Sequence, residues 1–235
     1  MTTDRRAELA ANLTVVRARI DAAERIGGRE PGCVRLVVVT KTWPASDVRL
    51  LAGLGVTDVA ENRDQEARPK HLECADLGLR WHFVGQLQRN KARHVVSYAD
   101  VVESVDRPEL ATALDRAGAD LGRTIDVLLQ VDLAEPPQPG RGGAAPAALV
   151  ALADLVAGHC PALRLTGLMA VAPLGADPRA AFGRLAEVAE TVRRDHPEAA
   201  VVSAGMSHDL EEAVEAGATH VRVGTAVLGG RPALG

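Results

Sequence analysis

Eight short apolar runs, each followed by a stretch of helical periodicity, constrain this chain more than any other feature of its sequence. The runs lie near residues 36–40, 57–60, 81–84, 101–104, 125–131, 164–169, 200–203 and 220–223. They are short, rich in valine and leucine, and mostly lack strict polar alternation, which is the pattern of strands buried on both faces. Strands that alternate with helices build a parallel sheet. Eight such units in 235 residues fit a single (β/α)8 TIM barrel. The rival is an open, doubly wound sheet. No Gly-x-Gly-x-x-Gly follows the first run, and polar residues collect after many runs rather than at one crevice. Both observations favour the barrel.

Ahead of the first strand, Leu9, Leu13, Val16 and Ile20 recur at helical spacing until Gly27-Gly28. They predict an extra N-terminal helix. Asp106 and Glu109 have capping-box spacing, with Asp106 as N-cap. Asp177-Pro178 sets a cap before a proline at the first helical position, and Pro146 opens another helix. The segment 134–143, with Pro136, Pro137, Pro139, Gly142 and Gly143, has the composition of a mobile loop after the fifth strand. It requires no domain boundary, so residues 1–235 are read as one domain.

Charge and cysteine content remove several classes. Net charge is −4 and no basic block occurs, which argues against nucleic acid as a partner. No apolar stretch approaches the ~20 residues of a membrane span. The N-terminus lacks the apolar core of a secretory signal. Cys33, Cys74 and Cys160 are odd in number and have no C-x-x-C spacing, as expected of reduced thiols in the cytoplasm. Aromatics are scarce: Trp43, Trp81, Phe83, Tyr98 and Phe182. The core is therefore built from Leu, Val and Ala, and Tyr98 is the only phenol available as an acid or base.

The polar residues that end the strands carry the chemistry. Lys41 follows the first apolar run. An amine that loses hydration at a barrel mouth can condense with a carbonyl to form a Schiff base. A lysine whose head merely reaches solvent is the competing reading. Gly205-Met206-Ser207 leads into a helix near His208-Asp209, and Gly224-Thr225 ends the last strand. Free amides and hydroxyls there suit a phosphate dianion, where barrels commonly bind one. Ser207 as a simple helix cap is the alternative. His82, between Trp81 and Phe83, is either a satisfied core histidine or a wall of the pocket. No metal-ligand spacing and no Gly-x-Ser-x-Gly elbow is present.

Six segments together resemble one family. They are Val39-Thr40-Lys41-Thr42-Trp43-Pro44, Glu61-Asn62-Arg63-Asp64-Gln65-Glu66, the run from Trp81-His82-Phe83 through Gly85-Gln86 to Asn90-Lys91, Gly167-Leu168-Met169-Ala170, Gly205-Met206-Ser207-His208-Asp209, and Val221-Arg222-Val223-Gly224-Thr225. In this order they are similar to the pyridoxal phosphate homeostasis proteins, whose barrel resembles the N-terminal domain of bacterial alanine racemase. The resemblance implies pyridoxal 5′-phosphate held as an aldimine on Lys41. It implies phosphate contacts from Ser207, Gly224 and Thr225, a cofactor-binding place for Met206, an arginine, Arg222, facing the pyridine nitrogen, and pocket positions for Asn62 and His82. It also implies a monomer that buffers or delivers cofactor to apo-enzymes without established catalysis. Ala60, Arg63-Asp64 and Ala204 depart from the family pattern at the rim of the pocket.

The residues offer a physical reason for a carrier. Chemistry at Cα uses the pyridine ring as an electron sink, and a cation such as Arg222 disfavours the ring proton that strengthens it. A racemase remains the alternative, with Lys41 as one base, but it needs a second base on the opposite face. A barrel that binds another phosphorylated metabolite, with Lys41 as a point charge, is the third reading.

Overall fold

Valine-rich runs form the staves of a closed barrel. The computed structural model describes residues 2–136 and 140–230. Its strands are β1 (Arg35–Val39), β2 (Asp58–Glu61), β3 (Arg80–Phe83), β4 (Val101–Val105), β5 (Ile125–Val131), β6 (Leu163–Ala170), β7 (Val201–Ser203) and β8 (His220–Val223). All pair in parallel in sequence order, and β8 closes on β1 with Val37 opposite Arg222. Each of the eight expected runs is a strand. Parallel pairing of consecutive strands needs a crossover, and the helical segments supply it.

The helices are α1 (Thr2–Ile26), α2 (Ala45–Ala52), α3 (Asp64–Glu73), α4 (Ala92–Val96), α5 (Pro108–Leu121), α6 (Leu149–His159), α7 (Pro178–Asp195), α8 (Leu210–Glu215) and α9 (Thr225–Leu228). The expected N-terminal helix is α1. Its Leu9, Leu13, Val16 and Ile20 are buried with Leu51, Leu210, Val214 and Val227. Each such side chain contributes roughly 1.5–3 kcal/mol by leaving water. The helix stops where Gly28 turns to φ +63°.

Two local expectations are decided differently. Asp177 caps α7 as predicted, accepting from the Arg179 amide at 3.0 Å. Asp106 does not cap α5. Arg107 occupies the N-cap and Pro108 the first helical position. Proline's fixed φ suits that position and moves the boundary one residue on. The Asp106 carboxylate instead pairs with Arg107 and accepts from the Gly143 amide. Pro146 opens a short 3-10 turn that runs into α6. Of the proline-rich segment, residues 137–139 lie outside the described residues. Its return leg is tied down rather than loose: Ala144 donates to the Gln130 carbonyl and accepts from the Asp132 amide, while Arg141 pairs with Asp132.

Side chains on the strands sort into two sets. Outward residues such as Val38, Val59, Trp81 and Val221 pack under the helices. Inward residues include an apolar patch of Val101, Leu128 and Met169, and a polar column that includes Asp58, His82, Glu103, Ser203 and Arg222, all buried.

Candidate functional site

Closure of the barrel brings the distant segments together. Because Val38 pairs with Val223, the residues just past β1 and β8 run side by side, so Lys41 lies beside the turn that starts with Gly224. A Cβ on Gly224 would stand 3.2 Å from the Val39 carbonyl oxygen, so glycine permits this approach. Val39 pairs with Ala60, which sets Glu61-Asn62 on the other flank. A Cβ on Gly85 would stand 2.1 Å from the Asn62 carbonyl oxygen. Glycine there lets the loops after β2 and β3 lock together.

Lys41 is half-buried. Thr40, just past the end of β1, donates its hydroxyl to Glu61 Oε1 at 2.6 Å, and Lys41 follows it in the turn at that end of the barrel. Among the described residues its amine makes no hydrogen bond or ion pair. Thr42 follows at φ +69°, the sole non-glycine residue with positive φ among those described. A β-branched residue in that conformation costs about 1–2 kcal/mol.

The turn after β7 is held from behind by α1. Arg19 pairs in two-pronged fashion with Glu211, at 2.6 and 2.7 Å, and donates to the Ser207 carbonyl at 3.0 Å. Ser207 does not cap α8: Asp209 holds that place and its carboxylate accepts from the Met206 amide at 2.6 Å. The Ser207 hydroxyl instead accepts from the Ala226 amide at 3.2 Å, stitching the turn after β7 to the turn after β8. The Ser207, His208 and Thr225 amides take no acceptor among the described residues. The Met206 side chain is partly exposed at the same rim.

Below the mouth runs the polar column. Arg222 donates to Ser203 Oγ at 2.7 Å and to the Ala170 carbonyl at 2.9 Å. Ser203 donates to Glu103 Oε2 at 2.7 Å. Glu103 Oε1 lies 2.7 Å from His82 Nδ1, and His82 Nε2 lies 3.1 Å from Asp58 Oδ1. With a carboxylate accepting at each nitrogen, the ring is a donor at both, which is the imidazolium form. Burial lowers the affinity of His82 for its proton, and the two carboxylates more than reverse this, so its pKa is raised. Burial raises Glu103, but hydrogen bonds and charge from His82, Arg222 and Ser203 bring it down to about 2. Asp58 is also pushed up by burial, then drawn down to about 2 by His82, Thr57 and Arg35. Burial lowers Arg222, with Glu103 and Asp209 opposing. Two cations and two anions thus balance inside the barrel.

The site residues expected from sequence fall into two groups. Lys41, Met206, Ser207, Gly224 and Thr225 meet at the mouth. Arg222 and His82 stand in the column beneath, where His82 has both nitrogens engaged. Asn62 lines a cleft of about 570 Å³ at the same end, with Gln86, Lys91 and Arg107 among its neighbours. A larger groove of about 1020 Å³ lies on the outer flank beside α5 and holds none of the expected residues. Arg93 and Asp120 on its wall pair with each other at 2.9 Å, so size alone does not make it the site. Sequence reasoning passed over Asp58 and Glu103 as partners of His82. The available signal was an acidic residue inside an otherwise apolar strand.

Among the described residues no His/Cys/Asp/Glu group is arranged to hold a metal ion, and no helix is long and apolar enough to cross a membrane. The three cysteines are unpaired.

Comparison with known proteins agrees with this fold. The family described as "Alanine racemase, N-terminal domain" matches residues 6–232. A pyridoxal phosphate homeostasis protein of Mycobacterium leprae is 40% identical, with 96% of this chain and 94% of that protein aligned. The structure of PipY from Synechococcus elongatus with PLP bound is 35% identical, with TM-score 0.82, covering 94% of this chain and 100% of that one. Alanine racemase of Corynebacterium glutamicum shares the fold at TM-score 0.69 and 18% identity, over 98% of this chain and 62% of that one. The chain belongs to the alanine racemase N-terminal-domain family, among its pyridoxal phosphate homeostasis proteins.

Proposed function

We propose that this chain binds pyridoxal 5′-phosphate at the barrel mouth, through Lys41, and serves to hold and release it rather than to turn over a substrate. The observation that carries this reading is a half-buried lysine, unpaired among the described residues, beside two turns in which the Ser207, His208 and Thr225 amides take no acceptor among the described residues. Bound there, the cofactor supplies an aldehyde that condenses with a primary amine, and a phosphate dianion that needs donors. The residues fit both demands. Lys41 offers the amine. The Ser207, His208 and Thr225 amides, with the Ser207 and Thr225 hydroxyls, offer the donors. Gly224 keeps the wall between them free of a side chain, and Met206 and Asn62 border the opening.

Arg222 supports a holding role. Its buried guanidinium is fixed by Ser203, Ala170 and Glu103. A cation held in place beside a nitrogen heterocycle disfavours protonation of that ring, which weakens it as an electron sink. The alternative is a racemase-like enzyme. That chemistry needs a second base, and the only phenol, Tyr98, is buried behind the barrel wall beside His71. Burial, with Asp64 and Glu61 adding, drives its pKa upward, away from use as a base.

The reading takes the protein to be a cytoplasmic monomer that exchanges cofactor with apo-enzymes. Incubation in deuterium oxide with pyridoxal phosphate and alanine tests the distinction. Exchange at Cα no faster than with free cofactor is expected. Rapid exchange that Lys41→Ala abolishes would make the protein an enzyme.

A further inference from the structure

Helix α3 grips the chain on both sides of Lys41. Lys70 Nζ donates to the carbonyl of Thr40, the residue before it, at 2.8 Å, and to Glu61 Oε1. Glu66 Oε2 accepts from the amide of Thr42, the residue after it, at 3.0 Å. Glu66 and Lys70 are four apart on one helix face, so a rigid element spans the lysine. The second grip falls on the strained residue, Thr42 at φ +69°. Strain of this kind persists only where neighbours over-determine it. Arg63 steadies Glu66 at 3.3 Å, and Lys70 is buried where it crosses from β2 to the end of β1.

We propose that Glu66 and Lys70 are positioning residues that hold the turn at Thr42 and so aim Lys41 into the barrel mouth. The proposal rests on the reading of Lys41 as the cofactor lysine. Glu66 is the informative member, because Lys70 also neutralises the buried Glu61 and its loss would unfold the region. Glu66 meets solvent on one side and can be replaced without leaving a buried charge. Glutamine keeps an oxygen for the Thr42 amide, and alanine does not. Glycine at Thr42 takes positive φ without the penalty, so it removes the need for the grip.

The test measures affinity for pyridoxal phosphate and, separately, for pyridoxine phosphate, which has the ring and phosphate but no aldehyde. Glu66→Ala is expected to weaken the aldehyde ligand about tenfold while leaving pyridoxine phosphate unchanged. Glu66→Gln stays near the parent, and Thr42→Gly combined with Glu66→Ala restores it. Equal loss of both ligands, no loss of either, or failure of the glycine rescue overturns the proposal. If Glu66→Ala does not fold, the double variant carries the test, and normal capture by it is the expected result. Reductive methylation of the apo protein reads the grip without cofactor. Glu66→Ala should change the labelling rate of Lys41 by about threefold or more relative to Lys91, and an unchanged ratio contradicts the clamp. Absence of binding by the parent protein would instead remove the cofactor reading and leave the methylation result to decide the clamp.

Discussion

Arg222 and Glu103 face each other inside the barrel at 3.6 Å, and both hold the hydroxyl of Ser203. Glu103 also anchors His82. One carboxylate therefore serves two buried cations. Replacing it by glutamine keeps the shape but withdraws the charge both depend on. Glu103→Gln is expected to cost about 3–5 kcal/mol in urea unfolding, the range for an uncompensated buried charge. The His82 imidazole, followed by NMR, should then titrate at lower pH than in the parent. A loss below about 1 kcal/mol would mean the column is not electrostatically coupled.

Stability should fall with acid in two stages. His220 is held down to about 4 by burial, against an ordinary 6.5. Its share is complete above 6.5 and is lost as pH falls from there toward 4, since the unfolded chain takes the proton first. Asp58 and Glu103, at about 2 against 3.8 and 4.5, contribute fully above those ordinary values. Their share disappears as pH falls through about 2. His82 has the opposite sign: its raised pKa adds stability below 6.5 that is lost as pH rises through the folded value. Urea titrations across pH 2–9 check this, and His220→Asn should remove the first stage alone.

Gly85→Ala tests how the mouth is built. The added methyl meets the Asn62 carbonyl oxygen, so the loops after β2 and β3 must part. A loss of about 1–3 kcal/mol is expected, with cofactor affinity weakened through the displaced flank. Unchanged stability and affinity would show that the two loops do not depend on this approach.

Arg19 links the N-terminal helix to the turn after β7, the proposed phosphate site, through the Ser207 carbonyl. Arg19→Ala is expected to reduce affinity for inorganic phosphate and for pyridoxal phosphate about threefold or more, by freeing one hydrogen bond of that turn. Calorimetric titration with each ligand checks it. An effect on neither would make the helix a cover only.

The strands were legible because valine-rich runs must be buried on both faces, and helical spacing between them leaves few topologies. Lys41 stood out because an amine is unusual at the end of an apolar strand, and the Gly-Met-Ser turn because free amides and a hydroxyl at a helix start suit a phosphate. What pairing alone reveals stayed hidden. Asp58 and Glu103 share inward parity with His82, yet nothing local says that they meet across the barrel axis. Glu66 and Lys70 look like ordinary helix-surface charges until α3 is laid against the end of β1. Asp106 misled because a capping-box spacing is a local rule, and Pro108 competed for the same helix start.

The central claim is that the Lys41 amine captures pyridoxal phosphate. Borohydride reduction of the loaded protein, followed by peptide mass mapping, tests it most directly. The account predicts one phosphopyridoxyl group on Lys41, lost in Lys41→Ala. Modification at Lys70, at Lys91 or at no lysine would contradict it.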